Sequence, residues 1–151
     1  MRTVHRGSGR TDGCSAVDPS LYGRVVREVN LPDVVAAVRA AFERYEAALV
    51  ANDLDVLDEL FWQSPYTERI GISDRQHGFA EVQAARRALP RQTPPRALRE
   101  LVITTFDDHT AVVTTEFVPE NGIPVGRQSQ TWVRFADGWR VVAAHVSWPA
   151  D

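Results

Sequence analysis

The stretch GRQSQTWVRFADGWRVVAAHVSW, residues 126–148, reads as a long β-hairpin. Both arms are strand-like runs, and Ala136, Asp137 and Gly138 between them supply turn chemistry. The second arm is apolar on both faces, with Val141 and Ala143 on one and Val142, Ala144 and Val146 on the other. Such a strand belongs in a sheet covered on both sides, so helices are expected on one face and a second subunit on the other. Two registers are open. A two-residue Asp137-Gly138 turn sets Gln128 and Gln130 on the His145 face, whereas a three-residue turn with a glycine bulge sets Arg127 and Ser129 there. In both, His145 and Ser147 share a face.

Working outward, the period of two continues upstream through TAVVTTEFV (110–118) and ALRELVITTF (97–106), with the turn-forming DDH and PENGIPV segments between the runs. Before the loop PRQTPP (90–95) the period lengthens. FAEVQAARRAL (79–89) predicts a helix with Phe79, Val82, Ala85 and Leu89 on its apolar side, preceded by a strand in YTERIGI (66–72) and a turn at SDRQ (73–76). A short helix from Asn52 or Asp53 turns Leu54, Leu57, Leu60 and Phe61 inward and Asp55, Asp58 and Glu59 outward, and Pro65 stops the chain from continuing it. NLPDVVAAVRAAFERYEAALVAND (30–53) predicts the long first helix, with Asn30 as cap and Val35, Val38, Phe42, Tyr45 and Leu49 on the buried face. Helix, helix, strand, helix and four antiparallel strands is the order of an α+β cone, a curved antiparallel sheet wrapped around a long N-terminal helix.

The chain has 151 residues and 44% hydrophobic content, enough for one domain with its own core. Residues 30–151 are expected to form it and residues 1–29 a flexible tail, whose first twenty residues carry charges and glycines without an apolar run and read as neither signal peptide nor membrane span. A net charge of −3 from interspersed acids and bases offers no basic field for nucleic acid or an anionic membrane. Cys14 is the single cysteine, so no intramolecular disulfide forms and a cytoplasmic location is expected.

The open end of such a cone is the natural place for a small-molecule pocket. Tyr45 points inward from the first helix, either as a core tyrosine bonded to a backbone carbonyl or as a phenol facing a ligand. Arg69 shares a strand face with Thr67 and Gly71; on the concave side it would anchor a carboxylate, on the convex side it would be solvated. Gln128, Ser129, His145 and Ser147 are candidates for substrate contact by position in the last hairpin. His5, His77, His109 and His145 have no metal-ligand spacing, and no GxSxG, Walker or Rossmann glycine motif occurs, so neither a metal nor a nucleotide cofactor is expected. The acids Asp53, Asp55, Asp58 and Glu59 read as favourable charges at a helix start, and Arg86, Arg87, Arg91, Arg96 and Arg99 as solvated residues around a proline-rich loop.

FERYEAALVANDLDVLDELFW, TERIG and the last hairpin together resemble the AtzH-like family of the NTF2-like (SnoaL, ketosteroid isomerase) superfamily, over roughly residues 30 to 148. The resemblance implies the NTF2-like, cystatin-like cone. It also implies a cofactor-free decarboxylating amidohydrolase acting on 1,3-dicarboxyurea or a related oxalurate or ureide compound. Its essential residues would be a helix tyrosine, here Tyr45, and a strand arginine, here Arg69. Ile70 and His77 stand where the family tends to carry aromatics, so different pocket walls are expected. The fold also carries non-catalytic binding and dimeric accessory proteins, and proton-transfer isomerases, for which Glu116 would be the strand base.

Overall fold

The computed structural model describes residues 27–88, 93–120 and 125–149. Most of the expected tail, Cys14, Leu89 and Arg91 lie outside the described residues. The elements are α1 (Pro32–Ala51), α2 (Leu54–Leu60), β1 (Glu68–Ile70), β2 (Arg75–His77), α3 (Phe79–Ala88), β3 (Arg96–Phe106), β4 (Thr110–Pro119), β5 (Gly126–Phe135) and β6 (Gly138–Ser147). One curved, open sheet of order β2-β1-β6-β5-β4-β3 holds all the strands, antiparallel throughout except where β1 runs parallel to β6. The expected α+β cone is thus present, with SDRQ contributing to a short strand as well as to a turn.

Helix α1 fills the concavity. Val34, Val38, Phe42, Tyr45 and Ala48 are its buried residues, while Val35 and Leu49 pack partly buried at the flanks. Spacings of three and four keep these side chains on one stripe, which meets Trp132, Val113, Ala111 and Val141 from the sheet. Asn30 does not cap the helix. It adopts a left-handed φ of 58° and instead accepts a hydrogen bond from the Thr105 N–H, tying the chain entry to β3. Val29 bridges to Phe106 and the Asp107 N–H bonds the Glu28 carbonyl, so residues 28–29, expected in the tail, belong to the folded unit. In α2, Asp53 caps through the Val56 N–H, as its acidic start suggests, but Asp58 is buried rather than outward.

Two β-bulges set which side chains face inward. In β6, Trp132 pairs with Val141 and Thr131 with Ala143, leaving Val142 as the extra residue. The alternation reverses there, so buried Trp139 and Val141 share the concave face with Ala144 and Val146. In β3 the register shifts between Arg99 and Val102, with Glu100 at a φ of 49°. Arg96 and Leu98 before the bulge therefore point the same way as Leu101 and Ile103 after it.

Candidate functional site

A cavity of about 350 Å3 opens between α1, α2, α3 and the concave sheet. Tyr45 reaches it from α1 and Arg69 from β1, so the concave reading of TERIG holds in the folded chain. Thr67, the residue sharing the Arg69 face, is fully buried and donates its hydroxyl to the Trp62 carbonyl.

Arg69 is held in place by the β1–β2 hairpin. Its Nη1 donates to Gln76 Oε1 at 2.6 Å and lies 3.4 Å from the Asp74 carboxylate, while Gln76 Nε2 donates to Asp74 at 2.9 Å. Gly71 permits this arrangement: a Cβ there would come within 1.9 Å of Asp74 Oδ1. The guanidinium is thus oriented on one side while the residue still lines the cavity.

Two further arginines, expected to be solvated, are drawn into the wall. Arg86 is 13% exposed, bonds Asp58 at 3.2 Å, and lays its guanidinium over the Phe61 ring at 4.2 Å. Arg96 is 5% exposed and bonds Glu46 at 2.7 Å and Gln128 Oε1 at 3.0 Å above the Phe117 ring. Gln128 in turn donates to Glu46. Their burial is affordable because each meets a carboxylate far away in sequence: Asp58, itself bonded by Gln83 and Arg87, and Glu46. Sequence signals for both arginines exist. Arg86 follows buried Val82 by one helical turn, and Arg96 alternates in step with Leu98.

These charges act on Tyr45. Burial, and then the Glu46 carboxylate, push its phenol above the ordinary tyrosine value, against the opposing pull of Arg86, Arg96 and Arg69. The side chain is therefore a neutral hydroxyl at physiological pH, able to donate a proton and to take it back. It packs among Phe42, Phe61 and Trp132, with ring centroids 6.3–6.4 Å away. Burial likewise pulls Arg86 below its ordinary value, opposed by Tyr45 and Asp58, but an arginine stays charged.

The last hairpin divides the remaining candidates. Its turn is Ala136-Asp137, since Phe135 pairs with Gly138, and the Val142 bulge then brings Ser129 opposite His145 and Arg127 opposite Ser147. Gln128 and Gln130 line the cavity, whereas Ser129, His145 and Ser147 lie on the opposite face of the sheet and do not. The bulge is the physical reason: it moves the His145 set outward and brings Ala144 and Val146 in. Ile70 and His77 also sit on the outer side, flanking Glu68, so their identities do not shape the cavity wall. Glu116 pairs with Arg127 at 3.6 Å on the outer face and is no base for chemistry in the cavity. Among the described residues, no group of three or more His, Cys, Asp or Glu gathers as a metal site.

A model of the AtzH-like family matches residues 27–151. The chain belongs to the AtzH-like family. It is 50% identical to a protein of unknown function from Pectobacterium atrosepticum, with 81% of this chain and 95% of that one covered at a TM-score of 0.78. It is 47% identical to a cystatin-like fold protein from Burkholderia xenovorans, with 83% and 99% covered and a TM-score of 0.79. An NTF2-like protein of unknown function from Pseudomonas putida shares the fold at 16% identity, 79% and 89% coverage and a TM-score of 0.67. No functionally curated protein matches the chain. Within this AtzH-like chain, Tyr45 and Arg69 occupy the positions to which the TERIG and RYEAAL resemblance points, and both line one cavity.

Proposed function

We propose that the chain is a small cofactor-free hydrolase, of decarboxylating amidohydrolase type, acting on a carboxylated urea or ureide such as 1,3-dicarboxyurea or a related oxalurate-type compound. The observation that carries this reading is the convergence of a neutral phenol and an oriented guanidinium on one cavity. Arg69 holds the carboxylate that stays on the product, because a cation on the departing carboxylate would stabilise the ground state and oppose loss of its charge. The bond from the second carboxylate to nitrogen breaks, its electron pair passes to the urea nitrogen, and carbon dioxide leaves. The Tyr45 phenol gives that nitrogen its proton and regains one from water. Leu54, Leu57 and Val82 line the same cavity and keep the departing carboxylate poorly hydrated, which favours dispersal of its charge.

Purified protein incubated with dicarboxyurea, oxalurate and allophanate, with carbon dioxide and ammonia followed, is expected to turn over at least one of them. Because the Tyr45 pKa is raised, the phenol remains protonated as pH rises through 8 and 9, so no loss of activity from this group is expected in that range. Turnover no faster than that of Tyr45→Phe would sink the enzymatic reading.

The alternative is a non-catalytic small-molecule-binding or dimeric accessory protein, with a location in the cytoplasm in either case. It is favoured by the outer sheet face, where exposed Val102 and Ile70 stand at the two ends of a row that runs through Thr114, Ser129 and His145. That face supports the proposal of a homodimer under both readings; light scattering is expected to give twice the chain mass, and a monomer argues against it. Among the described residues, no helix is long and apolar enough to cross a membrane.

A further inference from the structure

Gln130 carries a donor that no described residue uses. The side chain is 1% exposed, and among the described residues its Nε2 has no hydrogen-bond partner. A buried amide N–H left without an acceptor is costly, so a built site of this kind calls for one from outside. The direction of the amide is not arbitrary. Trp132 Nε1 can only donate, and it lies 3.0 Å from Gln130 Oε1, which fixes the oxygen toward the indole and leaves the NH2 as the remaining polar end.

The sheet register says what lies beside that donor. Arg69 on β1 is the lateral partner of Ala144 on β6, and Ala144 is the partner of Gln130 on β5. All three line the cavity, so one row across its floor reads guanidinium, methyl, amide. Two strand spacings separate the ends by about 10 Å between backbones. The small Ala144 leaves the middle of the row open, between two side chains long enough to project above it.

We propose that Gln130 Nε2 donates to an acyl oxygen of the ligand whose carboxylate is held by Arg69, so that the site selects small planar acids with a carbonyl beyond the carboxylate. This assignment rests on the anion-anchoring reading of Arg69 and adds to it the polarity of the second subsite: a donor, which accepts carbonyl or carboxylate oxygens and rejects ligands that present only N–H or methyl groups there. In a decarboxylating reaction the same donor faces the oxygen onto which the charge of the departing carboxylate spreads. Gln130 is also the residue that a serine- or histidine-centred reading of the last hairpin passes over, because the Val142 bulge separates its face from that of His145.

The test uses two acids of matched shape without an N-carboxylate to lose, N-carbamoylglycine, which has the acyl oxygen, and 4-methylpentanoate, which has a methyl in its place. Their affinities for the whole protein are measured by calorimetry, and the readout is the ratio of the two. Gln130→Met, which removes the donor, is expected to lower the ratio in favour of N-carbamoylglycine at least tenfold. Gln130→Glu keeps an acceptor for Trp132 and the shape of the side chain, and it repels both carboxylates alike, so the ratio is again expected to fall. A ratio unchanged in both folded variants means that Gln130 serves only the indole and overturns the proposal. Wild-type protein that binds neither acid overturns it together with the anion-site reading. Arg69→Ala separates the two ideas: weaker binding of both acids at an unchanged ratio supports the anchor. Unweakened binding removes the anchor, and a falling ratio in the Gln130 variants then still supports the acyl-oxygen subsite.

Discussion

Arg69→Ala is expected to reduce kcat/KM for a carboxylated urea by about 100-fold or more while leaving the protein folded. The side chain is 31% exposed, so water screens part of its charge and the effect falls short of that of a fully buried arginine. Stability changes by only about 1–2 kcal/mol, the scale of one charge-assisted hydrogen bond, because what is lost is the 2.6 Å contact to Gln76 and a long contact to half-exposed Asp74. Arg69→Lys is expected to recover only part of the rate, since an ammonium restores the charge but not the planar fork that Gln76 and Asp74 orient. Steady-state kinetics together with urea denaturation measure both quantities. A variant as active as the wild type would mean that substrate carboxylates are held elsewhere, by Arg86 or Arg96.

The largest loss of stability is expected for Asp58→Ala, about 3–5 kcal/mol. Asp58 is 5% exposed and receives Gln83 at 2.8 Å, Arg87 at 2.7 Å and Arg86 at 3.2 Å. Arg87 is half-exposed and can turn to water, but Arg86 is enclosed between Phe61 and the cavity and would keep an unpaired buried charge. The substitution also unties α2 from α3, so ligand binding is expected to weaken with it. The effect depends on pH in a determined direction. Burial alone would raise the Asp58 pKa, yet the hydrogen bonds from Gln83, Arg87 and Arg86 outweigh it and bring the carboxyl below its ordinary value. A folded-state pKa below the unfolded one gives stability that is complete above about pH 4 and is lost as pH falls through the folded value. The gap in denaturation midpoint between wild type and Asp58→Ala is therefore expected to be full at pH 7 and to narrow below pH 4.

These two residues differ in how far they could be read in advance. Arg69 sits in a short strand whose two faces are both mixed, and only the neighbouring β6 determines that its face is concave. Asp58 looks like a solvated helix acid until α3 delivers two arginines to it across more than twenty-five residues of chain. Tyr45, by contrast, was legible from the spacing of Val38, Phe42 and Leu49 around it, because a helix places every third or fourth side chain on one stripe whatever it packs against.

The sequence by itself determined the order of elements apart from the short β2, the α+β class and the inward stripe of α1. All three follow from local periodicity and from turn-forming residues, which act over a few positions. Only the tertiary structure decided which side of each strand faces the cavity and which charges are buried. A single extra residue, Val142 in β6 or Glu100 in β3, reverses an alternation of period two, and nothing in the alternation itself marks where the reversal occurs. Arg86 and Arg96 are buried only because Asp58 and Glu46 arrive from other elements to neutralise them, a condition set by long-range packing.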